Sequence, residues 1–263
     1  MNTVQSADGT TIAYDRTGEG EALILVGGSF SERAHPTMAQ LAAELAPHFT
    51  VFNYDRRGRG DSGDAAEYAV EREIEDLAAL IAEAGGSARV FGLSAGGALA
   101  LKAAAAGLDI TRIAVYDPPF VVDENGPRPP AGFTERLAEL SSSDRSGEAV
   151  EFFMVEGMGA PSEAVAGMKF APFWAGLEAL AHTLPYDTTI LGEDFALPAV
   201  ELSAVTVPTL VVHGSEADAW LHASAKAVAD AVPAAEVHAL AGQGIAVDPA
   251  ALAPELKNFF SNN

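Results

Sequence analysis

The stretch that decides the fold is ARVFGLSAGGALALKAAAA, residues 88–106, with the pentapeptide GLSAG at its centre. Its first five residues are typical of a buried strand, and the alanine-rich run from Ser94 onwards predicts a helix. A G-x-S-x-G pattern between strand and helix places the serine on a tight, strained turn whose neighbours must be small. Ser94 would then carry an exposed hydroxyl at a helix N-terminus, beside the free amide of Ala95. The alternative is a serine that only caps the helix.

The same alternation of strand and helix extends outward from this stretch. Short apolar runs predict strands, and longer amphipathic or alanine-rich runs predict helices between them. This order is typical of an α/β fold with a mostly parallel central sheet flanked by helices. The predicted strands lie at residues 11–14, 22–26, 50–55, 88–92, 112–117, 208–214 and 236–240, and the predicted helices at 37–46, 70–84, 94–106, 219–231 and 249–260.

The pattern changes between residues 118 and 202. Proline clusters in GPRPPAG and serine in SSSDRSG, while residues 133–140 and 173–184 have helical spacing. A helical cap inserted into the domain and a disordered insert are the two interpretations. The aromatic residues of MKFAPFWAGL favour the cap, because disordered segments are poor in them. We therefore predict a core of residues 1–117 and 203–263 and a cap of residues 118–202.

The amino-acid composition limits the kinds of binding partner and cofactor that the protein can have. The 263 residues carry 37 acidic against 15 basic side chains, a formal net charge of -22 that repels nucleic acid and anionic membrane surfaces. No cysteine is present, and no cluster of histidines and carboxylates has the spacing of metal ligands, so neither a metal nor another cofactor is expected. Without a signal peptide or a long apolar run, a cytoplasmic protein acting on a small molecule is predicted. The oligomeric state is open, with a homodimer as a candidate.

Three motifs together resemble the α/β-hydrolase fold family over nearly the whole chain outside residues 118–202. They are GLSAG, the segment YDRRGRGDSG at residues 54–63, and VGGSF at residues 26–30. The resemblance implies that Ser94 is a nucleophile and that an oxyanion hole forms from the amide of Ala95 and that of Gly28 or Ser29. Three arginines of the second motif, Arg56, Arg57 and Arg59, are expected to brace its loop through Asp55 and Asp61.

The resemblance also implies a triad in the order serine, acid, histidine. The family's acid usually follows the seventh strand, which favours Asp218, four residues after Gly214. Glu216 is a near alternative. Asp117 is another, because some members of the family take the acid from the end of the preceding strand.

The histidine is missing from its expected position. The family presents it between the last strand and the last helix, and there the sequence reads AGQGIAVD, with Ile245 in the slot. A serine hydroxyl is a weak nucleophile at neutral pH unless a base takes its proton. His35 and His182 are candidates for a substitute base. The other four, at positions 48, 213, 222 and 238, are expected to be structural or surface residues.

Several functions remain compatible with these residues. The first is a serine hydrolase for a small, largely apolar ester, thioester or lactone, with an atypical or absent base. The second is a lyase, isomerase or cyclase that uses Ser94 and the oxyanion amides as hydrogen-bond donors. The third is a binding protein that has lost catalysis. A strained serine turn offers nothing to a scaffold, which favours an enzyme. Another interpretation of the missing histidine is that Ile245 is an introduced substitution.

Overall fold

Eight strands form one sheet in the order β1-β2-β4-β3-β5-β6-β7-β8 in the computed structural model, which describes residues 1–192 and 194–261. β2 pairs antiparallel with β1 and with β4, and all other neighbours are parallel. The predicted fold class is therefore confirmed. The strands are β1 Asn2–Gln5, β2 Thr11–Thr17, β3 Ala22–Val26, β4 Thr50–Tyr54, β5 Ala88–Leu93, β6 Ile110–Tyr116, β7 Thr209–Gly214 and β8 Ala235–Leu240.

Five helices cover the two faces of the sheet: α1 Pro36–Leu45, α2 Val70–Glu83, α3 Ala95–Ala105, α10 Ala219–Ala231 and α11 Pro249–Ser261. Successive residues of a strand point to opposite faces, and β3 shows the result. Leu23 and Leu25 pack in the core layer that contains residues of α1 and α11. Ile24 and Val26 pack in the other, with residues of α2, α3 and α10. Both faces of β3 are buried, which explains its uninterrupted apolar sequence.

The segment between β6 and β7, residues 118–202, is the helical insertion. It contains α4 Phe133–Ser142, α5 Ser146–Phe152, a π-helix Phe153–Gly157, α6 Ser162–Met168, α7 Trp174–Ala179, a 3₁₀ turn Ala181–Thr183, α8 Leu184–Leu191 and α9 Ala199–Leu202. Residues 173–184 are helical, as their spacing predicts, but a break divides them. The chain there forms α7 and the 3₁₀ turn, and α8 starts afresh with Pro185 in its first turn, where a missing amide costs nothing.

β1 was not predicted, because it is a short, largely exposed edge strand without an apolar run. No described helix is long and apolar enough to cross a membrane. For the site, the main consequence of the topology is that β3, β5 and β6 are adjacent and parallel, so their carboxyl ends meet at one edge of the sheet.

Candidate active site

Ser94 lies on a strained turn between β5 and α3. Its φ of 51° is in a region that residues other than glycine rarely adopt. The turn is possible because its neighbours are glycines: a Cβ on Gly92 would lie 2.4 Å from the Cα of Gly97, and one on Gly96 would lie 2.5 Å from the carbonyl oxygen of Val26. The geometry agrees with the turn that the GLSAG motif predicts.

The loop after β3 runs directly beside this turn. A Cβ on Gly28 would lie 2.7 Å from the carbonyl oxygen of Leu93 and 3.2 Å from the Cβ of Ser94. Among the described residues, the backbone amides of Ser29 and Ala95 donate no hydrogen bond. Ala95 begins α3, where amides have no partner within the helix. Unused amides beside a serine are the arrangement that can bind a developing oxyanion.

A cavity of about 170 Å³ opens above Ser94. Four of the residues that the sequence analysis assigned to the site, Gly28, Ser29, Ala95 and Ile245, line it together with the serine. Most of the remaining wall is apolar. It comes from the carboxyl ends of β5 and β6, the loop after β3, the start of α10 and the helical insertion: Phe30, Leu93, Tyr116, Pro119, Phe153, Gly157, Met158, Leu191, Phe195, Trp220 and Leu221.

Backbone strain is concentrated around this cavity. Five non-glycine residues of the described chain have a positive φ, and four of them line the cavity: Phe30 at 57°, Ser94 at 51°, Asp117 at 45° and Phe195 at 52°. Such conformations are costly and cluster at functional sites. The cavity is therefore the best candidate for an active site.

The three acid candidates differ in their surroundings. Asp117 is 2% exposed, follows β6 directly and lines the cavity. Burial raises its pKa to about 7, although the amide of Gly214 donates a hydrogen bond to it and acts in the opposite direction. Asp218 is exposed at the start of α10, and Glu216 is exposed too. Neither of these two residues is part of the cavity wall.

Ile245 lies at the rim of the cavity, with 53% of its surface exposed. The loop that carries Ile245 is anchored to β6, because the Tyr116 hydroxyl donates a 2.6 Å hydrogen bond to the carbonyl oxygen of Gly244. The amide of Glu216 donates to the carbonyl oxygen of Gln243 at 2.8 Å. The side chain at position 245 is thus held beside the same cavity as Ser94.

No histidine lines the cavity in the described part of the chain. His35 is exposed at the start of α1, where its Nδ1 accepts a 3.3 Å hydrogen bond from the amide of Thr37. The ring of His182 is occupied elsewhere: Nδ1 lies 3.1 Å from the carbonyl oxygen of Ala179, and Nε2 lies 2.8 Å from that of Gly58. The structure does not bring either candidate base to Ser94.

The model of the Alpha/beta hydrolase family matches residues 22–255. This chain belongs to the alpha/beta hydrolase family. An alpha/beta hydrolase from Sphaerobacter thermophilus DSM 20745 has 51% identity and a TM-score of 0.93, with 99% of this chain and 100% of that chain covered.

More distant structures share the fold. An enol-lactonase from Burkholderia xenovorans LB400 is 21% identical with a TM-score of 0.74, covering 98% of this hydrolase and 100% of that chain. An esterase from Rhodococcus sp. ECU1013 is 21% identical with a TM-score of 0.71, covering 99% and 98%. A comparison with proteins of curated function gave no match.

A buried ionic network supports the loop after β3 of the hydrolase. Arg59 donates hydrogen bonds to the carbonyl oxygens of Gly28 and Ser31, and Arg56 donates one to that of Gly27. Both guanidinium groups also pair with the carboxylate of Asp187, which lies on α8 of the helical insertion. One buried carboxylate thus joins the insertion to the loop that carries Ser29.

The charge balance of this network keeps Asp187 ionised. Burial alone would raise its pKa, but Arg59, Arg56 and the Ser29 hydroxyl outweigh burial and hold the pKa below its ordinary value. The expected partners of the arginines were wrong, because Asp55 and Asp61 pair with Arg33 instead. The observed acidic partners of Arg56, Arg57 and Arg59 are Asp8, Glu73, Asp76 and Asp187.

Proposed function

We propose that this hydrolase cleaves a small, largely apolar ester, thioester or lactone by nucleophilic attack of Ser94. The observation that carries the proposal is the position of Ser94 on a strained turn at the floor of the apolar cavity. The amide of Ala95 and that of Ser29 or Gly28 would bind the oxyanion of the tetrahedral intermediate. Removal of one such donor typically costs about 100-fold to 1,000-fold in kcat.

The cavity supports the proposed substrate class. Its volume of about 170 Å³ leaves room for a short acyl or lactone group, and its aromatic walls favour apolar substrate groups over charged ones. Phe30 and Phe153 meet edge to face, with ring centroids 5.5 Å apart. Such a wall limits the length of the acyl chain.

We assign the role of cap to the helical insertion, with residues 1–117 and 203–263 as the core. The insertion contributes Phe153, Met158, Leu191 and Phe195 to the cavity wall. It would therefore shield the ester from water and select the substrate, while the core supplies Ser94 and the oxyanion amides.

Ile245 makes the proposed hydrolysis atypical. Removal of the histidine from a working triad typically lowers kcat by about 10^6, and a residual of about 10^3 to 10^4 over water comes from the oxyanion hole and binding. Turnover should therefore be slow unless another group of the cavity accepts the proton.

An organophosphonate probe and a nitrophenyl ester series test the function. We expect one covalent adduct, located by mass spectrometry on Ser94, and hydrolysis of nitrophenyl acetate that is lost in Ser94→Ala. Ser141→Ala is the matched control, because the Ser141 hydroxyl only donates to backbone carbonyl oxygens within the helical insertion. Full hydrolysis by Ser94→Ala would contradict the proposed function.

A further inference from the structure

Asp117 is a buried carboxyl group without a charged partner. One oxygen, Oδ1, accepts a hydrogen bond from the amide of Gly214 at 3.3 Å. The other, Oδ2, has no hydrogen-bond partner among the described residues. A buried carboxylate is normally paired or fully hydrogen-bonded, so this one is destabilising for the fold. The contrast with Asp187, which is held by two arginines, is clear.

The topology places Asp117 next to the nucleophile. Leu93 and Tyr116 are register partners on the neighbouring parallel strands β5 and β6, and neighbouring strands lie about 4.8 Å apart. Ser94 and Asp117 directly follow the two strands, and both residues line the same cavity. The two residues therefore lie one strand spacing apart at the same edge of the sheet.

The backbone of Asp117 is also strained, with a φ of 45°. An unpaired buried oxygen and a strained backbone at one residue are two costs without a structural return. Such costs persist where function requires them. The strained residue lines the cavity that Ser94 also lines.

We infer that Asp117 takes the place of the missing histidine and is the catalytic residue that accepts the proton of Ser94. The inference rests on the proposed function. The histidines of the described chain lie outside the cavity wall, and so do Asp218 and Glu216. Asp117 is the one carboxyl group of the described chain that lines the cavity.

In the proposed reaction, Asp117 is the only group that takes up and returns a proton. The Ser94 O–H proton moves to Oδ2 while Oγ bonds to the carbonyl carbon, and the π electron pair moves to the carbonyl oxygen. Collapse of this intermediate breaks the bond to the leaving oxygen, which takes the proton from Asp117. A water molecule then attacks the acyl group in the same way and releases the acid and Ser94. Because burial raises the pKa of Asp117 to about 7, the carboxylate is a stronger base than an exposed aspartate.

The test compares Asp117→Asn with Asp218→Asn in the full chain, using nitrophenyl acetate. Asparagine tolerates a positive φ and can still accept the hydrogen bond from Gly214, so the variant should fold. We expect kcat/KM to fall at least about 100-fold in Asp117→Asn, with slower organophosphonate labelling of Ser94. Asp218→Asn should stay within about twofold of the parent, because the side chain is exposed.

The pH profile separates a catalytic from a structural role. Parent kcat/KM should rise with pH through a midpoint near 7, and this step should be absent from Asp117→Asn. The other titratable groups around Asp117 are Tyr116 on its own strand and the rings of His213 and His222, which contact the carbonyl oxygen of Gly214. The step should therefore persist in His213→Gln and in His222→Gln.

Two results would overturn the inference: parental activity in Asp117→Asn, or a parent profile without a step near neutral pH. The second measurement needs no variant, so it decides even if Asp117→Asn fails to fold. If Ser94→Ala is inactive while Asp117→Asn remains active, only the inference about Asp117 fails. If Ser94→Ala is active, the proposed function fails as well.

Discussion

The backbone amide of Ser94 donates a 2.8 Å hydrogen bond to the carbonyl oxygen of Tyr116. This bond extends the ladder between β5 and β6 by one step beyond the strand, up to the serine itself. The residue after Tyr116 is Asp117, so Ser94 and the buried carboxyl group leave the sheet at the same level. The Tyr116 hydroxyl also fixes the loop of Ile245 through Gly244. One tyrosine thus connects Ser94, Asp117 and the loop of Ile245, which all line the candidate active site.

Ile245→His should restore an efficient base, because the loop already holds position 245 at the rim of the cavity. We expect kcat for nitrophenyl acetate to rise by about 100-fold or more, as general base catalysis typically contributes. Steady-state kinetics near pH 8 measures the gain. Ile245→Asn is the control for polarity alone and should give no comparable increase.

The same background identifies the acid that would orient this histidine. Asp117→Asn in Ile245→His should remove most of the gain, whereas Asp218→Asn should leave it intact. The reverse result would favour the acid that the usual family position predicts. Equal losses in both double variants would contradict either assignment.

The parts of the site that could be predicted from sequence are those fixed by local physics. Gly92 and Gly96 are required by close backbone contacts, so the pattern around Ser94 indicates the turn directly. The choice among acids could not be made in this way. Asp117 and Asp218 both follow strands, so the sequence pattern does not separate them. In the fold, the chain after Gly214 leaves Asp218 exposed, whereas Asp117 is buried at the cavity with 2% of its surface exposed.

Ion-pair partners that lie far apart in the chain could not be predicted from the sequence either. Arg56 pairs with Asp187 across 131 positions, and nothing near either residue indicates the other. The nearby Asp55 and Asp61 were the natural expectation, yet both point to Arg33. The exact positions of the helix breaks in the insertion were not predicted, since tertiary packing decides where a weakly amphipathic run is interrupted.

Asp117→Asn should stabilise the fold at alkaline pH while it lowers activity. The pKa of Asp117 is about 7 in the fold against an ordinary value of 3.8, so the carboxylate costs on the order of 4 kcal/mol in the folded state. Between these two values the folded state binds more protons than the unfolded chain. The parent should therefore lose stability as pH rises from about 4 to 7.

The uncharged asparagine avoids the cost of burying a charge. A buried amide without hydrogen-bond partners itself costs about 1 to 3 kcal/mol, so the net gain in stability is smaller than the cost of the carboxylate. We expect the free energy of unfolding of Asp117→Asn to exceed that of the parent by about 1 to 3 kcal/mol near pH 8, and to match it or fall below it near pH 4. Urea unfolding at both pH values measures this difference. Asp218→Asn should show no such dependence, and a difference for Asp117→Asn that is constant with pH would argue against a buried, titrating carboxyl group.

Asp187→Asn should destabilise the hydrolase strongly. It leaves Arg56 and Arg59 buried without their shared carboxylate, and breaking a buried ion pair in this way typically costs about 3 to 5 kcal/mol. Asp230→Asn is the matched control, because its pair with Lys226 is exposed and should contribute less than about 1 kcal/mol. Thermal and urea unfolding compare the two. Equal effects of both substitutions would show that the network does not hold the insertion to the loop after β3.

Phe153→Ala should change which acyl chains the hydrolase accepts. The ring of Phe153 packs edge to face on Phe30 and closes one side of the cavity, so its loss opens space inside the wall. We expect kcat/KM to shift from nitrophenyl acetate towards the butyrate and hexanoate by about 10-fold or more, since each methylene buried in an apolar pocket is worth about 1 to 3 kcal/mol.

The control for this shift is Phe170→Ala, which truncates a phenylalanine that is 92% exposed on the helical insertion. It should leave the chain-length preference unchanged. Phe153→Ala also removes core packing, so thermal unfolding must confirm that the variant is folded at the assay temperature. A folded Phe153→Ala with the parental preference would mean that the acyl chain does not lie against this wall, and the leaving group would then be the part of the substrate that occupies it.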